Sequence, residues 1–155
     1  MFKLFKKKGI EIFSPINGEV IELAKVNDPV FSQKMIGEGF AVIPSDFTVY
    51  SPTAGIIKSI FPTKHAISIS SDDGIDILLH IGIDTVSLEG RGLYPKVSEG
   101  QRVAIGVPLL VMDVQYLKEQ GKENTVIVVF PELKGKLISI FNGFKESGAK
   151  VVTIK

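Results

Sequence analysis

Short runs of β-branched and apolar residues, cut by Gly, Pro, Asn and Asp, leave this chain few folds to choose from. The runs fall at residues 40–43, 56–61, 66–70, 75–81, 125–130, 136–141 and 150–154. They are too short for helices that bury a stripe, and they have the length and composition of strands. Isoleucine and serine alternate from Ile67 to Ser70, as in a strand with one buried face. Ser71-Asp72-Asp73-Gly74 then reads as a hairpin turn, in which Asp-Gly supplies the backbone freedom. The helical signal is confined to one place: Asp113 can cap a short helix from Val114 to about Gln120, which Gly121 ends. The fold class expected is all-β, an antiparallel sandwich or barrel with short helical turns.

A weak repeat runs through the punctuation. Phe13-Ser14-Pro15-Ile16-Asn17-Gly18 is echoed by Tyr50-Ser51-Pro52-Thr53-Ala54-Gly55. In each, an aromatic residue leads into Ser-Pro, two residues set a turn, and glycine opens a strand. This spacing suggests duplicated strand-turn units, and turn chemistry alone can also produce it.

At 155 residues, one domain over 11–155 is expected, preceded by a short basic tail over 1–10. A hydrophobic content of 45% provides for a substantial core. The net charge of +1 argues against a nucleic-acid binder that works through an overall positive field. There is no cysteine, which removes disulfides, thiolate metal ligands and a thiol nucleophile together and suits a cytoplasmic protein. The longest uncharged apolar stretch, 103–112, contains Gly106 and Pro108 and falls short of the ~20 residues of a membrane span. In the tail, Lys3, Lys6, Lys7 and Lys8 lie beside Phe2, Leu4 and Phe5 without the apolar core of a signal peptide. At most transient membrane contact is expected of it.

The chemistry centres on the two histidines of the chain, His65 and His80. They lie in strand-like runs on either side of the Asp-Gly turn, so a simple hairpin makes them cross-strand neighbours, with side chains ~5 Å apart. A neutral imidazole offers a nucleophilic nitrogen at neutral pH, because its ordinary pKa is near ~6.5. A second imidazole can donate a hydrogen bond to whatever the first has bound. Either histidine alone would more simply satisfy a polar position in the core; the pairing favours chemistry.

The surroundings of His80 point to a family. Gly74-Ile75-Asp76-Ile77-Leu78-Leu79-His80-Ile81-Gly82-Ile83-Asp84-Thr85-Val86 closely resembles the active-site signature of the glucose-type enzyme IIA components of the bacterial phosphoenolpyruvate-dependent sugar phosphotransferase system. Phe61-Pro62-Thr63-Lys64-His65-Ala66 resembles the strand that carries that family's second histidine. The resemblance implies a phosphocarrier without cofactor. His80 would accept a phosphoryl group on Nε2 from the phosphocarrier protein HPr and pass it to a cysteine of enzyme IIB during uptake of a sugar of the glucose family. It further implies that His65 stabilises the phosphoryl group and that Thr63 orients His65. Asp84 would meet a partner's basic residue or organise the site, although its position also suits a turn-capping carboxylate. Gly82 would permit close backbone approach. An apolar partner-binding face would comprise Val30, Phe31, Ile36, Phe61, Ile67, Leu78 and Gly82. The family often has aromatics where this chain has Ile67 and Leu78, which bears on partner choice.

Other readings stay open on the residues. His65, His80 and Asp84 could serve a metal hydrolase, although no His-Glu-x-x-His motif is present, and the two histidines alone could hold adventitious zinc. Lys34-Met35 is a fragment of a biotinylation-like signal that lacks its usual context. A regulatory module with further protein partners is the remaining class, because phosphorylation would turn a neutral imidazole edge into a dianion. A monomer suits a shuttle.

Overall fold

The computed structural model describes residues 9–155, so Lys3, Lys6, Lys7 and Lys8 lie outside the described residues. Strands β1 (Ile10–Phe13), β2 (Gly18–Glu22), β3 (Glu38–Pro44), β4 (Thr48–Tyr50), β5 (Gly55–Ile60), β6 (Ala66–Ser71) and β7 (Asp76–Ile81) fill the first half. They are followed by β8 (Leu93–Pro95), β9 (Arg102–Val103), β10 (Pro108–Met112), β11 (Val126–Phe130), β12 (Ile138–Ile140), β13 (Gly143–Lys145) and β14 (Lys150–Ile154). An eight-stranded sheet has the order β13-β2-β3-β11-β7-β6-β5-β9, and two three-stranded sheets have the orders β1-β14-β12 and β4-β10-β8. All the ladders are antiparallel. The all-β expectation therefore holds.

Two short α-helices interrupt the strands of the described residues. α2 (Val114–Glu119) is the expected one, and the Asp113 carboxylate accepts from the Tyr116 N–H. α1 (Pro29–Ser32) was not anticipated, although Asp28-Pro29 carries a start signal: the Asp28 carboxylate accepts from Val30 N–H, and proline occupies the first turn. The run at 136–141 forms a strand only over Ile138–Ile140.

The repeat is a physical symmetry. Ser14 Oγ donates to the Ile16 carbonyl, and Ser51 Oγ donates to the Thr53 carbonyl in the same two-residue loop. The copies also bond each other reciprocally: Phe13 N–H donates to Pro52 O, and Tyr50 N–H donates to Pro15 O. Gly18 and Gly55 open β2 and β5 in equivalent places. A Cβ on Gly18 would collide with the Ile43 carbonyl, and one on Gly55 with the Ser70 carbonyl. The order of the large sheet reads as two four-strand halves meeting at β11 and β7.

Side-chain alternation sets the two faces of that sheet. Ile67, Ile69, Ile77, Leu79 and Ile81 point into the main core and are fully buried. This corrects the expectation for Ile67. Its alternation with Ala66 and Ser68, and its pairing opposite Leu79, send it inward rather than onto a partner face. The outer face carries a second, smaller core of Leu23, Val26, Phe31, Ala41, Ile83, Ile127 and Val129, with Ile21, Ile36 and Leu78 at its margin. Coverage on both faces explains why β11, Val-Ile-Val-Val-Phe, is a continuous apolar run buried throughout.

Candidate active site

His80 stands at the rim of the second core. The register places Ile21, Ala41, Ile127, His80 and Ala66 side by side across adjoining strands. The residue opposite His80 is thus Ala66, one position away from the simple pairing with His65. The two imidazoles nevertheless meet, with ring centroids 5.1 Å apart at 76°. The ring of Phe31, delivered by α1, packs on His80 at 4.7 Å, and Phe61 meets His65 edge-on at 5.5 Å.

Hydrogen bonds orient both rings. His80 Nδ1 lies 2.8 Å from the Gly82 carbonyl oxygen. A carbonyl can only accept, so Nδ1 carries the proton and the lone pair resides on Nε2. Thr63 Oγ1 lies 2.6 Å from His65 Nδ1. Gly82 reaches back to His80 through a left-handed turn (φ 77°), and a Cβ there would strike the Thr85 side chain and the Glu123 carbonyl. Its N–H donates to Thr125 O, and the next residue, Ile83, donates to Glu123 O, so the bend is anchored to the approach to β11.

Burial sets the electrostatics. Desolvation holds His65 below the ordinary histidine value of 6.5. Desolvation also lowers the pKa of His80, and the neighbouring imidazole of His65 acts in the same direction. The Gly82 carbonyl and the Asp28 carboxylate oppose this by favouring the charged ring. Both imidazoles are therefore neutral at pH 7.

The other expected residues separate into groups. Phe31 is 4% exposed, so it forms a wall of the His80 site rather than an open docking surface. Val30 and Phe61 are each 40% exposed, Ile36 and Leu78 are half-buried, and Gly82 is buried. Asp84 is left-handed and makes no capping hydrogen bond to the turn that follows. Its carboxylate pairs instead with Lys122 Nζ at 2.9 Å, which corrects the turn-capping reading. Among the described residues, no three His, Cys, Asp or Glu side chains are grouped as metal ligands, so Asp84 does not join the histidines in such a set. Lys34 forms a salt bridge with Glu38. Asp28, whose carboxylate acts on the His80 ring, and Lys122, which pairs with Asp84, are not singled out by the sequence. Asp28 had its capping signal, whereas Lys122 is distant along the chain and carried none.

Comparison with known proteins identifies the family and the fold. The family model described as phosphoenolpyruvate-dependent sugar phosphotransferase system, EIIA 1, matches residues 10–135. The glucose-specific EIIA component of Staphylococcus aureus (strain COL) is 44% identical over 125 residues, covering 77% of this chain and 75% of that protein. The glucose-specific EIICBA component of Staphylococcus carnosus is 39% identical over 93% of this chain, and the match spans only 22% of that longer protein. The solved glucose permease IIA from Mycoplasma capricolum superposes with a TM-score of 0.90 at 35% identity, covering 99% of this chain and all of that one. A neutral histidine pair on an antiparallel sheet, with these relatives, places the chain in the EIIA 1 family of the phosphoenolpyruvate-dependent sugar phosphotransferase system.

Proposed function

We propose that this protein is a phosphocarrier in which His80 Nε2 accepts a phosphoryl group from phospho-HPr and delivers it to a cysteine of enzyme IIB. The observation that carries this reading is the fixed tautomer of His80: its Nδ1 proton is held on the Gly82 carbonyl, so Nε2 has a free lone pair without help from a base. In the first step an Nε2–P bond forms as the donor's N–P bond breaks, and the bonding pair returns to the donor imidazole. The phosphorylated ring keeps its Nδ1 proton and is formally cationic. The Gly82 carbonyl and the Asp28 carboxylate both favour that charge. In the second step a cysteine thiolate attacks phosphorus, an S–P bond replaces the N–P bond, and His80 returns to neutral.

His65 is the stabilising donor in this account. With the Thr63 hydroxyl donating to Nδ1, Nε2–H of His65 is free to donate to the phosphoryl oxygens as charge develops on them. Catalysis by the pair is positioning and charge stabilisation, as expected for phosphoryl transfer with little covalent work for the protein. Asp84, half of a salt bridge at the edge of the site, is suited to exchange Lys122 for a partner's cation. The exposed Val30 and Phe61 and the margin residues Ile36 and Leu78 supply the apolar docking surface. A cytoplasmic monomer, acting as one unit over 11–155 in uptake of a glucose-family sugar, fits this shuttle.

The test is a relay reconstituted with phosphoenolpyruvate, enzyme I and HPr, followed by addition of purified enzyme IIB. Radiolabel should move onto this chain and then onto the enzyme IIB cysteine; label that stays on HPr contradicts the reading.

A further inference from the structure

The two imidazoles share one face although the strand they extend would separate them. β6 and β7 keep one register from Ser70 opposite Asp76 to Ala66 opposite His80. One step further, the Ile81 N–H donates to the His65 carbonyl at 2.7 Å, which continues the ladder. Successive side chains in a ladder alternate between faces. Ala66 and His80 share the outer face, and Ile81 points wholly into the core. A regular strand would therefore send the His65 side chain inward beside Ile81. Instead its ring lies 5.1 Å from that of His80.

The departure follows the residue before it. Lys64 has φ 59°, in the left-handed region that residues other than glycine, asparagine and aspartate avoid. Its N–H closes the 61–64 turn onto the Phe61 carbonyl at 2.7 Å, and the Phe61 N–H donates to Ala66 O at 3.0 Å. The loop is thus pinned on both sides of Lys64. The Thr63 hydroxyl then holds His65 Nδ1 at 2.6 Å, which fixes the ring once the backbone has turned it out. The Lys64 stem lies along Gly90, where a Cβ would stand 3.4 Å from Lys64 Cδ.

We propose that the left-handed backbone of Lys64, and not its ammonium group, places the His65 imidazole over His80, making Lys64 a positioning residue for phosphoryl transfer. This rests on the phosphocarrier reading of His80 and His65. It separates conformation from charge, because the two have opposite tolerances. Glycine and asparagine adopt the left-handed region without the charge, whereas β-branched valine resists it.

The experiment compares Lys64→Gly, Lys64→Asn, Lys64→Val and Lys64→Ala in the full chain. Acceptance from phospho-HPr and onward transfer to enzyme IIB are each resolved into kcat and KM. Lys64→Gly and Lys64→Asn should stay within about threefold of the parent in both steps. Lys64→Val should lose about tenfold or more in onward kcat, with acceptance little changed, because small misplacements near reacting groups are costly. Lys64→Ala should fall between them, and it serves in place of the valine variant if that one does not fold. Losses as large in the glycine and asparagine variants as in the valine variant would assign the role to charge; four variants equal to the parent would remove the role. Nuclear Overhauser contacts between the His65 and His80 rings, kept with glycine or asparagine and lost with valine, test the placement without phosphoryl transfer. A parent that never accepts phosphate while these contacts follow the pattern would sink the functional reading and leave the positioning role standing.

Discussion

At the scale of single residues, the account depends on His80 and His65 being neutral. Burial lowers the pKa of both from 6.5. The unfolded chain takes up these protons near ~6.5, and the folded protein only at lower pH. The stability gained by keeping them neutral is therefore complete above that value and is lost as pH falls through the lowered folded values. Proton NMR should give both midpoints below 6.5, and acceptance by His80 should persist to the same lowered midpoint; a midpoint above 6.5 for His80 would contradict the electrostatics. His65→Gln should still accept phosphate and pass it on about 10²-fold more slowly, the order of loss when one charge-stabilising donor is removed. Transfer rates equal to the parent would refute the donor role. Both histidines and Thr63 were legible in the sequence because the motif around them is long. The family resemblance puts Ile67 on the partner face, whereas the isoleucine–serine alternation suits a strand with one buried face, and Ile67 lies on that face. Lys122 had no legible role, since its link to Asp84 is created only by the fold.

At the scale of elements, α1 shows what a single turn of helix can do. Four residues are too few to be stable alone, so the turn persists through its cap and through Phe31 packed on the second core. Asp28 serves both ends of this arrangement, capping the turn and favouring the charged form of His80. Asp28→Ala should cost about 1 kcal/mol in denaturant unfolding, as loss of an N-cap does, and should lower the His80 midpoint further. An unchanged or raised midpoint would separate Asp28 from the site. The run at 136–141 overshoots β12, whereas β5, β6, β7, β11 and β14 are legible in the sequence to within a residue at each end. Strands of two or three residues, such as β8, β9 and β13, are not, because they are strands only through pairing with a neighbour. The β6–β7 hairpin was read correctly from Asp-Gly, yet its register came out one residue away from the simple count. That single step is the difference between a direct histidine pair and one that needs the turn at Lys64.

At the scale of the molecule, the structure is two similar halves with the chemistry in one of them. The repeated Ser-Pro turns were visible as a faint echo in the sequence, whereas their reciprocal hydrogen bonds needed the fold. The symmetry predicts matched costs: Gly18→Ala and Gly55→Ala each push a methyl into a facing carbonyl and should each destabilise by about 1–3 kcal/mol. If denaturant unfolding showed one of them neutral, the halves would not be equivalent at these turns. The halves differ where function enters, since β7 and the turn leading into β6 bring the two histidines together, and Phe31 of the second core packs on His80. The most direct test of the central claim is to phosphorylate the parent and His80→Gln with phosphoenolpyruvate, enzyme I and HPr, and to map the modified residue under alkaline conditions. The account predicts an acid-labile phosphate on His80 of the parent and none on the folded variant. Acceptance by the variant at the parent's rate, or a parent left unmodified by a competent relay, would contradict it.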